Sequence, residues 1–96
     1  MNESMLYTLQ TIIADRKAAP REGSYTTTLF QAGTPRIAQK VGEEATEVIV
    51  AALAQDRTAQ IGELSDLFYH TLVLMAQLDI PLEAVEEELR RRHQPG

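Results

Sequence analysis

No cysteine and no tryptophan occur in this chain of 96 residues. Without cysteine there are no disulfides, no thiolate zinc sites and no cysteine nucleophile. Basic charge is scarce: nine lysines and arginines stand against fourteen acids, a net charge of −5. Binding to nucleic acid needs a basic face, so a nucleic-acid partner is not expected. A phosphate-rich small ligand would need a local cation, and a metal is the obvious candidate. No apolar run is long enough to span a bilayer. The start, "MNESMLYTL", lacks the basic region and apolar stretch of a signal peptide. A cytoplasmic protein without a membrane partner is expected. There is no internal repeat and no low-complexity segment.

What is present suits one domain over residues 1–96. Hydrophobic residues make up 44% of the chain, enough for a core, though so short a chain buries only a modest fraction of its surface. Four helical patterns stand out. The first covers residues 4–17, with Met5, Leu6, Leu9, Ile12 and Ile13 at helical spacing and Ser4 as N-cap. The second opens at Thr34 and Pro35, as N-cap and first helical residue, and runs to Ala54. The third covers residues 57–78. The fourth starts at Pro81, carries Glu83, Glu86, Glu87 and Glu88 early and Arg90, Arg91 and Arg92 late, and so matches the macrodipole. Between the first two lies the longest non-periodic stretch, residues 18–33. Leu29 and Phe30 can anchor a helical turn there, with Gly33 as a left-handed C-cap. A long loop in a compact domain is often functional, and this one is expected to order over bound ligand. Nothing reads as a strand, so the fold class is all-α.

The acids on the second and third helices draw attention. At about 100° per residue, Val41, Ala45, Val48 and Ala52 form a stripe beside Ile37, and Glu44 falls between Ile37 and Ala51. Glu44 and Glu47 border this stripe. On the third helix Ile61, Leu64, Leu67, Phe68, Leu72, Leu74, Met75 and Leu78 occupy more than half the circumference. The polar band is narrow: Glu63, Asp66, His70 and Gln77. A helix apolar nearly all round is normally surrounded, and four short helices surround one of their own only in an oligomer. The chain therefore offers two carboxylate pairs, Glu44 with Glu47 and Glu63 with Asp66, each one turn apart. Antiparallel packing of the two helices, expected from their short connection, lets the four groups converge. Converging carboxylates repel, a divalent cation removes the conflict, and all-oxygen ligands favour Mg2+ or Mn2+. The bland alternative is that these are ordinary solvated glutamates. His70 reads as a phosphate contact or a buried hydrogen-bonded histidine, Tyr25 and Tyr69 as packing residues with a polar tip, and Lys40 as an i,i+4 partner of Glu44.

The stretches "SYTTTLFQAGTPRIAQKVGEEATEV" and "ELSDLFYHTLVLMA" closely resemble the phosphoribosyl-ATP pyrophosphatase family of histidine biosynthesis. An E-x-x-E and E-x-x-D pattern alone marks the wider all-α nucleoside-triphosphate pyrophosphohydrolase, or MazG-like, superfamily. The additions are specific: Ser24-Tyr25-Thr26, Gly33, Lys40-Val41-Gly42-Glu43-Glu44, and Asp66-Leu67 with Tyr69-His70. Arg36 stands where the family more often has lysine, which keeps the charge.

The resemblance implies a four-to-five-helix bundle completed by dimerisation. It also implies Mg2+-dependent hydrolysis of phosphoribosyl-ATP to phosphoribosyl-AMP and pyrophosphate. Carried over by position, Glu44, Glu47, Glu63 and Asp66 are the implied metal ligands and Glu43 an accessory carboxylate. Lys40, with Lys17, Arg21 and Arg36, is expected on phosphates, Ser24 and Thr26 as hydrogen-bond donors to the substrate, and His70 on phosphate where it is not simply a buried histidine. The family is often fused to phosphoribosyl-AMP cyclohydrolase, and this chain resembles the stand-alone enzyme. The competing readings are a house-cleaning nucleotide pyrophosphatase of the same superfamily, a di-iron carboxylate bundle, and a non-catalytic helical dimerisation module. The di-iron class needs Glu-x-x-His motifs, and Leu67 stands three before His70.

Overall fold

The computed structural model describes residues 4–94, which form five α-helices: α1 (Met5–Ala18), α2 (Tyr25–Ala32), α3 (Thr34–Ala54), α4 (Arg57–Gln77) and α5 (Leu82–Arg92). No strand occurs among the described residues, as the periodicity predicts. Local signals fix most helix ends. Ser4 caps α1 by accepting from the Leu6 N–H, and Asp56 caps α4 by accepting from Ala59. Each such cap contributes about 1 kcal/mol. Arg16 and Lys17 close α1, and Arg90, Arg91 and Arg92 close α5, where cations suit the dipole.

The irregular stretch expected over 18–33 is largely helical. Only residues 19–24 connect; α2 occupies the rest. Its run of three threonines has weak helix propensity, which hid it from periodicity. Local hydrogen bonds compensate. Ser24 Oγ accepts from the Thr27 N–H at 3.2 Å, Thr27 Oγ1 accepts from the Arg21 N–H at 3.0 Å, and Thr28 Oγ1 donates to the Tyr25 carbonyl at 2.5 Å.

A single residue, Gly33, separates α2 from α3. Its φ of 93° and ψ of 174° lie where glycine alone sits without strain. Thr34 is consequently not the N-cap expected from the sequence. It lies inside α3, and its hydroxyl accepts from Gln77 Nε2 at 2.8 Å.

Helices α3 and α4 form the main antiparallel pair, joined by Gln55 and Asp56. Gln60 Nε2 locks this turn by donating to the carbonyls of Ala51 and Gln55. The core takes residues from every helix: Ile13, Leu29, Ile37, Leu72, Val73 and Leu82. Each fully buried aliphatic side chain contributes about 1.5–3 kcal/mol. Lys17 Nζ donates to the Ala76 carbonyl at 2.7 Å and to Asp79 at 2.9 Å, which closes the C-terminal end of α4. Helix α5 is tied to α1 through Tyr7 with Glu86 and through the Leu82 N–H to Gln10 Oε1.

The core explains a change in how α4 is covered. The sequence makes α4 apolar around more than half its circumference over its whole length. In the structure its burial differs along the axis. Leu72 and Val73 are buried against α1 and α2, whereas Ile61, Leu64 and Phe68 at the N-terminal end are exposed. Together with Ile49, Val50 and Leu53 on α3, they leave an apolar surface that this single chain does not cover. Among the described residues no helix is long and apolar enough to cross a membrane.

Candidate active site

The buried face of α3 is marked by Ile37, Glu44 and Ala51, seven residues apart. Glu44 therefore sits at the centre of the buried stripe, not at its border, and is only 6% exposed. The stripe expected through Ala45 and Ala52 is rotated, since Ala52 is exposed and Ala45 half-buried. A carboxylate buried at that depth needs a partner. Lys40 supplies one: its Nζ lies 3.3 Å from Glu44 Oε2 and 3.4 Å from Glu43 Oε1. Arg36 approaches Glu43 at 3.6 Å, and Gln39 Nε2 donates to Glu43 at 3.0 Å. Glu43 is thus held by three side chains on the outer flank of the helix.

Across the antiparallel pair, α4 presents Glu63 and Asp66 to Glu44. Carboxylate oxygens of these three residues lie within 4.8 Å of one another. Glu47 adjoins them. A hydrogen bond with the Glu44 carboxyl, followed by the negative charges of Glu44 and Glu63, holds its pKa above the ordinary glutamate value. Burial, then the charges of Asp66 and Glu44, raises that of Glu63. Burial pulls the Lys40 ammonium down, but the Glu44 hydrogen bond and the neighbouring Tyr25, Glu44 and Glu43 outweigh it, and its pKa is raised. Close carboxylates shift in this way because two like charges resist ionising together. A donor set made only of carboxylate oxygens, one of them buried, fits a hard divalent cation of the Mg2+ or Mn2+ kind.

Beside this cluster α2 meets α4 through an aromatic and hydroxyl network. His70 is buried; its Nδ1 lies 2.7 Å from the Asp66 carbonyl and its Nε2 lies 3.1 Å from Tyr25 Oη. Thr26 Oγ1 and Tyr69 Oη are hydrogen-bonded. The His70 ring meets the rings of Tyr69 and Tyr25 edge-on, at centroid distances of 4.9 and 5.8 Å.

Among the residues singled out from the sequence, Glu44, Glu63, Asp66, Glu47, Lys40 and Glu43 come together, with Arg36 on the flank. Lys17 does not. It is engaged at Ala76 and Asp79, about three helical turns along α4 from the acids at 1.5 Å per residue. Ser24 serves as the N-cap of α2, and Thr26 is engaged by Tyr69. The Arg21 backbone N–H donates to Thr27, and the residue is exposed. Both nitrogens of His70 are hydrogen-bonded within the chain, which favours the buried-histidine reading over the phosphate contact. Tyr25, read from the sequence as a packing residue with a polar tip, sets its ring beside those of His70 and Tyr69 and its hydroxyl on His70, and is half-exposed. No sequence spacing pairs residues 25 and 70. A separate cleft of about 730 Å3 between α1 and the end of α4, lined by Thr11, Ala14, Lys17, Leu72 and Asp79 among others, shares no residue with the acid cluster.

Comparison with known proteins agrees with this arrangement. The model of the family described as phosphoribosyl-ATP pyrophosphohydrolase matches residues 6–93. The chain is 53% identical over 92 residues to a phosphoribosyl-ATP pyrophosphatase of Sulfurisphaera tokodaii, covering 96% of this chain and 98% of the relative. It is 52% identical over 89 residues to the histidine biosynthesis bifunctional protein HisIE of Shigella sonnei and to that of Escherichia coli O157:H7. That match covers 93% of this chain but only 44% of either bifunctional protein. This chain, whose described residues are helical and bring acids from two helices onto a buried glutamate, is matched along nearly its whole length and belongs to the phosphoribosyl-ATP pyrophosphohydrolase family.

Proposed function

We infer that this chain hydrolyses phosphoribosyl-ATP to phosphoribosyl-AMP and pyrophosphate, as a hydrolase of histidine biosynthesis. The observation that carries the chemistry is the convergence of Glu44, Glu63 and Asp66 across α3 and α4 with Lys40 beside them. Glu44, Glu47, Glu63 and Asp66 would hold Mg2+, with Mn2+ as a substitute. Such an ion would offset triphosphate charge and lower the pKa of a coordinated water. Lys40 contributes the adjacent cationic contact to the phosphates, and Arg36 a further one at the flank. Glu43, held outside the cluster by Lys40 and Arg36, is the accessory carboxylate near the attacking water. Water attacks in line at a phosphorus of the α–β linkage. A new P–O bond forms, the bridging P–O bond breaks, and the bridging oxygen departs with its electron pair, giving phosphoribosyl-AMP and pyrophosphate. The acid cluster orients the water and receives the proton.

The uncovered apolar surface on α3 and α4 supports a homo-oligomer, most simply a two-fold dimer. Functional coupling to phosphoribosyl-AMP cyclohydrolase, the fusion partner implied by the family resemblance, belongs to the same proposal. The test is a Mg2+-dependent pyrophosphate-release assay on phosphoribosyl-ATP, run beside ordinary nucleoside triphosphates. Preferred turnover of phosphoribosyl-ATP is expected. Equal or better turnover of ordinary triphosphates would place the chain with the house-cleaning pyrophosphatases instead.

A further inference from the structure

The hydrogen bonds between α2 and α4 have a fixed direction. A backbone carbonyl only accepts, so the Asp66 carbonyl, 2.7 Å from His70 Nδ1, requires the proton on Nδ1. A neutral imidazole carries one proton, which leaves Nε2 as an acceptor. The Tyr25 hydroxyl, 3.1 Å away, must then donate to it. A phenol has a single proton. Once that proton is committed, Tyr25 Oη offers only lone pairs and can take a donor but cannot give one. Tyr25 is half-exposed. Its histidine partner is one turn from Asp66 and hydrogen-bonded to the Asp66 carbonyl. An oxygen restricted to accepting cannot hydrogen-bond a phosphate oxygen anion. It suits a hydroxyl. In a nucleotide whose triphosphate lies on the acid cluster, the nearest hydroxyls are those of the ribose that carries the triphosphate.

We propose that Tyr25 contacts the substrate by accepting a hydrogen bond from a hydroxyl of that ribose, and that His70 is the positioning residue that sets the polarity of the contact. This rests on the nucleotide hydrolysis proposed above. The surrounding contacts keep the pair in place: Thr26 is hydrogen-bonded to Tyr69, and the edge-on packing of Tyr69 against His70 fixes the imidazole plane. The role requires the α2 helix, because only there does residue 25 stand over residue 70.

The test has a kinetic arm and a binding arm. Tyr25→Phe keeps the ring and is exposed enough to leave the fold intact, which circular dichroism checks. Loss of one neutral hydrogen bond should raise KM for phosphoribosyl-ATP by roughly three- to tenfold, with a smaller fall in kcat. His70→Gln places an amide oxygen near the Nε2 position and should retain more activity than His70→Asn, which does not reach Tyr25. In a double-mutant cycle His70→Asn should cost nothing further in the Tyr25→Phe background; additive losses would mean that His70 does not act through Tyr25. The binding arm uses ATP and 2′,3′-dideoxy-ATP as probes, read by titration calorimetry without turnover. Wild type should prefer ATP by roughly three- to tenfold, and Tyr25→Phe should bind both alike. A Tyr25→Phe variant that keeps the preference, or a wild type that has none, overturns the proposal. If wild type fails to turn over phosphoribosyl-ATP, the activity assignment falls, while the binding arm still decides the role of Tyr25.

Discussion

Replacing Glu44 by glutamine separates a catalytic acid from a structural one. The substitution keeps shape and removes one charge. Its carboxylate is 3.3 Å from Lys40, and the two side chains are only 7% and 18% exposed. A hydrogen bond between charged groups in such a place contributes about 1.5–3 kcal/mol, and part of it survives because the amide oxygen still accepts from Lys40. In the other direction, the change removes one of three carboxylates whose oxygens lie within 4.8 Å. It also relieves the like-charge interactions that raise the pKa values of Glu47 and Glu63. The opposing effects leave metal-free stability within about 1 kcal/mol of wild type, a shift of no more than about 4–8 °C in Tm. Activity should fall far more, by about 100-fold or more, the usual cost of losing a preorganised electrostatic group. Thermal unfolding in EDTA and pyrophosphate release in Mg2+ give the two readings. Turnover within a few-fold of wild type would refute the proposed site. A metal-free Tm lowered well beyond that range would show that Glu44 is held in the core chiefly as the partner of Lys40.

Three further outcomes follow from the same geometry. Millimolar Mg2+ or Mn2+ should stabilise wild type, by about 2.7 kcal/mol at a hundred times Kd, and so raise its Tm, but not that of the Glu44→Gln/Glu47→Gln double variant; equal shifts would indicate non-specific ion binding. Because Glu47 and Glu63 have raised pKa values in the folded chain, the native state binds more protons than the unfolded one just above the ordinary glutamate value of 4.5. Metal-free stability should therefore rise as pH falls from neutral into that window, and Glu47→Gln/Glu63→Gln should flatten the rise. Below it the trend reverses as Glu88, whose pKa is lowered by Arg91 and Arg92, loses its pairing. Leu64→Asp or Phe68→Asp, on the uncovered end of α4, should shift sedimentation of micromolar protein from dimer to monomer, whereas a wild type already monomeric and well folded would remove the case for an oligomer.

Much of this protein is legible without coordinates because its signals are local. Ser4, the basic last turns of α1 and α5, and the period of Leu6, Leu9 and Ile13 depend on neighbours three or four residues away. So does the placing of Glu44 between Ile37 and Ala51. The same local rules misread α2, whose threonines are poor helix formers held by Ser24, Arg21 and Tyr25 contacts. They also placed the cap at Thr34, when Gln77 from α4 claims that hydroxyl. Tertiary structure alone decided three matters. It buried Glu44 at the centre of the α3 stripe, because α4 returns antiparallel and covers that side. It drew Lys17 to the end of α4 and away from the acids. It set Tyr25 on His70, a contact across 45 positions that no helical period encodes. Periodicity tells which side of a helix is apolar; which neighbour covers it, and which side chains then share a hydrogen bond, depends on how the helices pack.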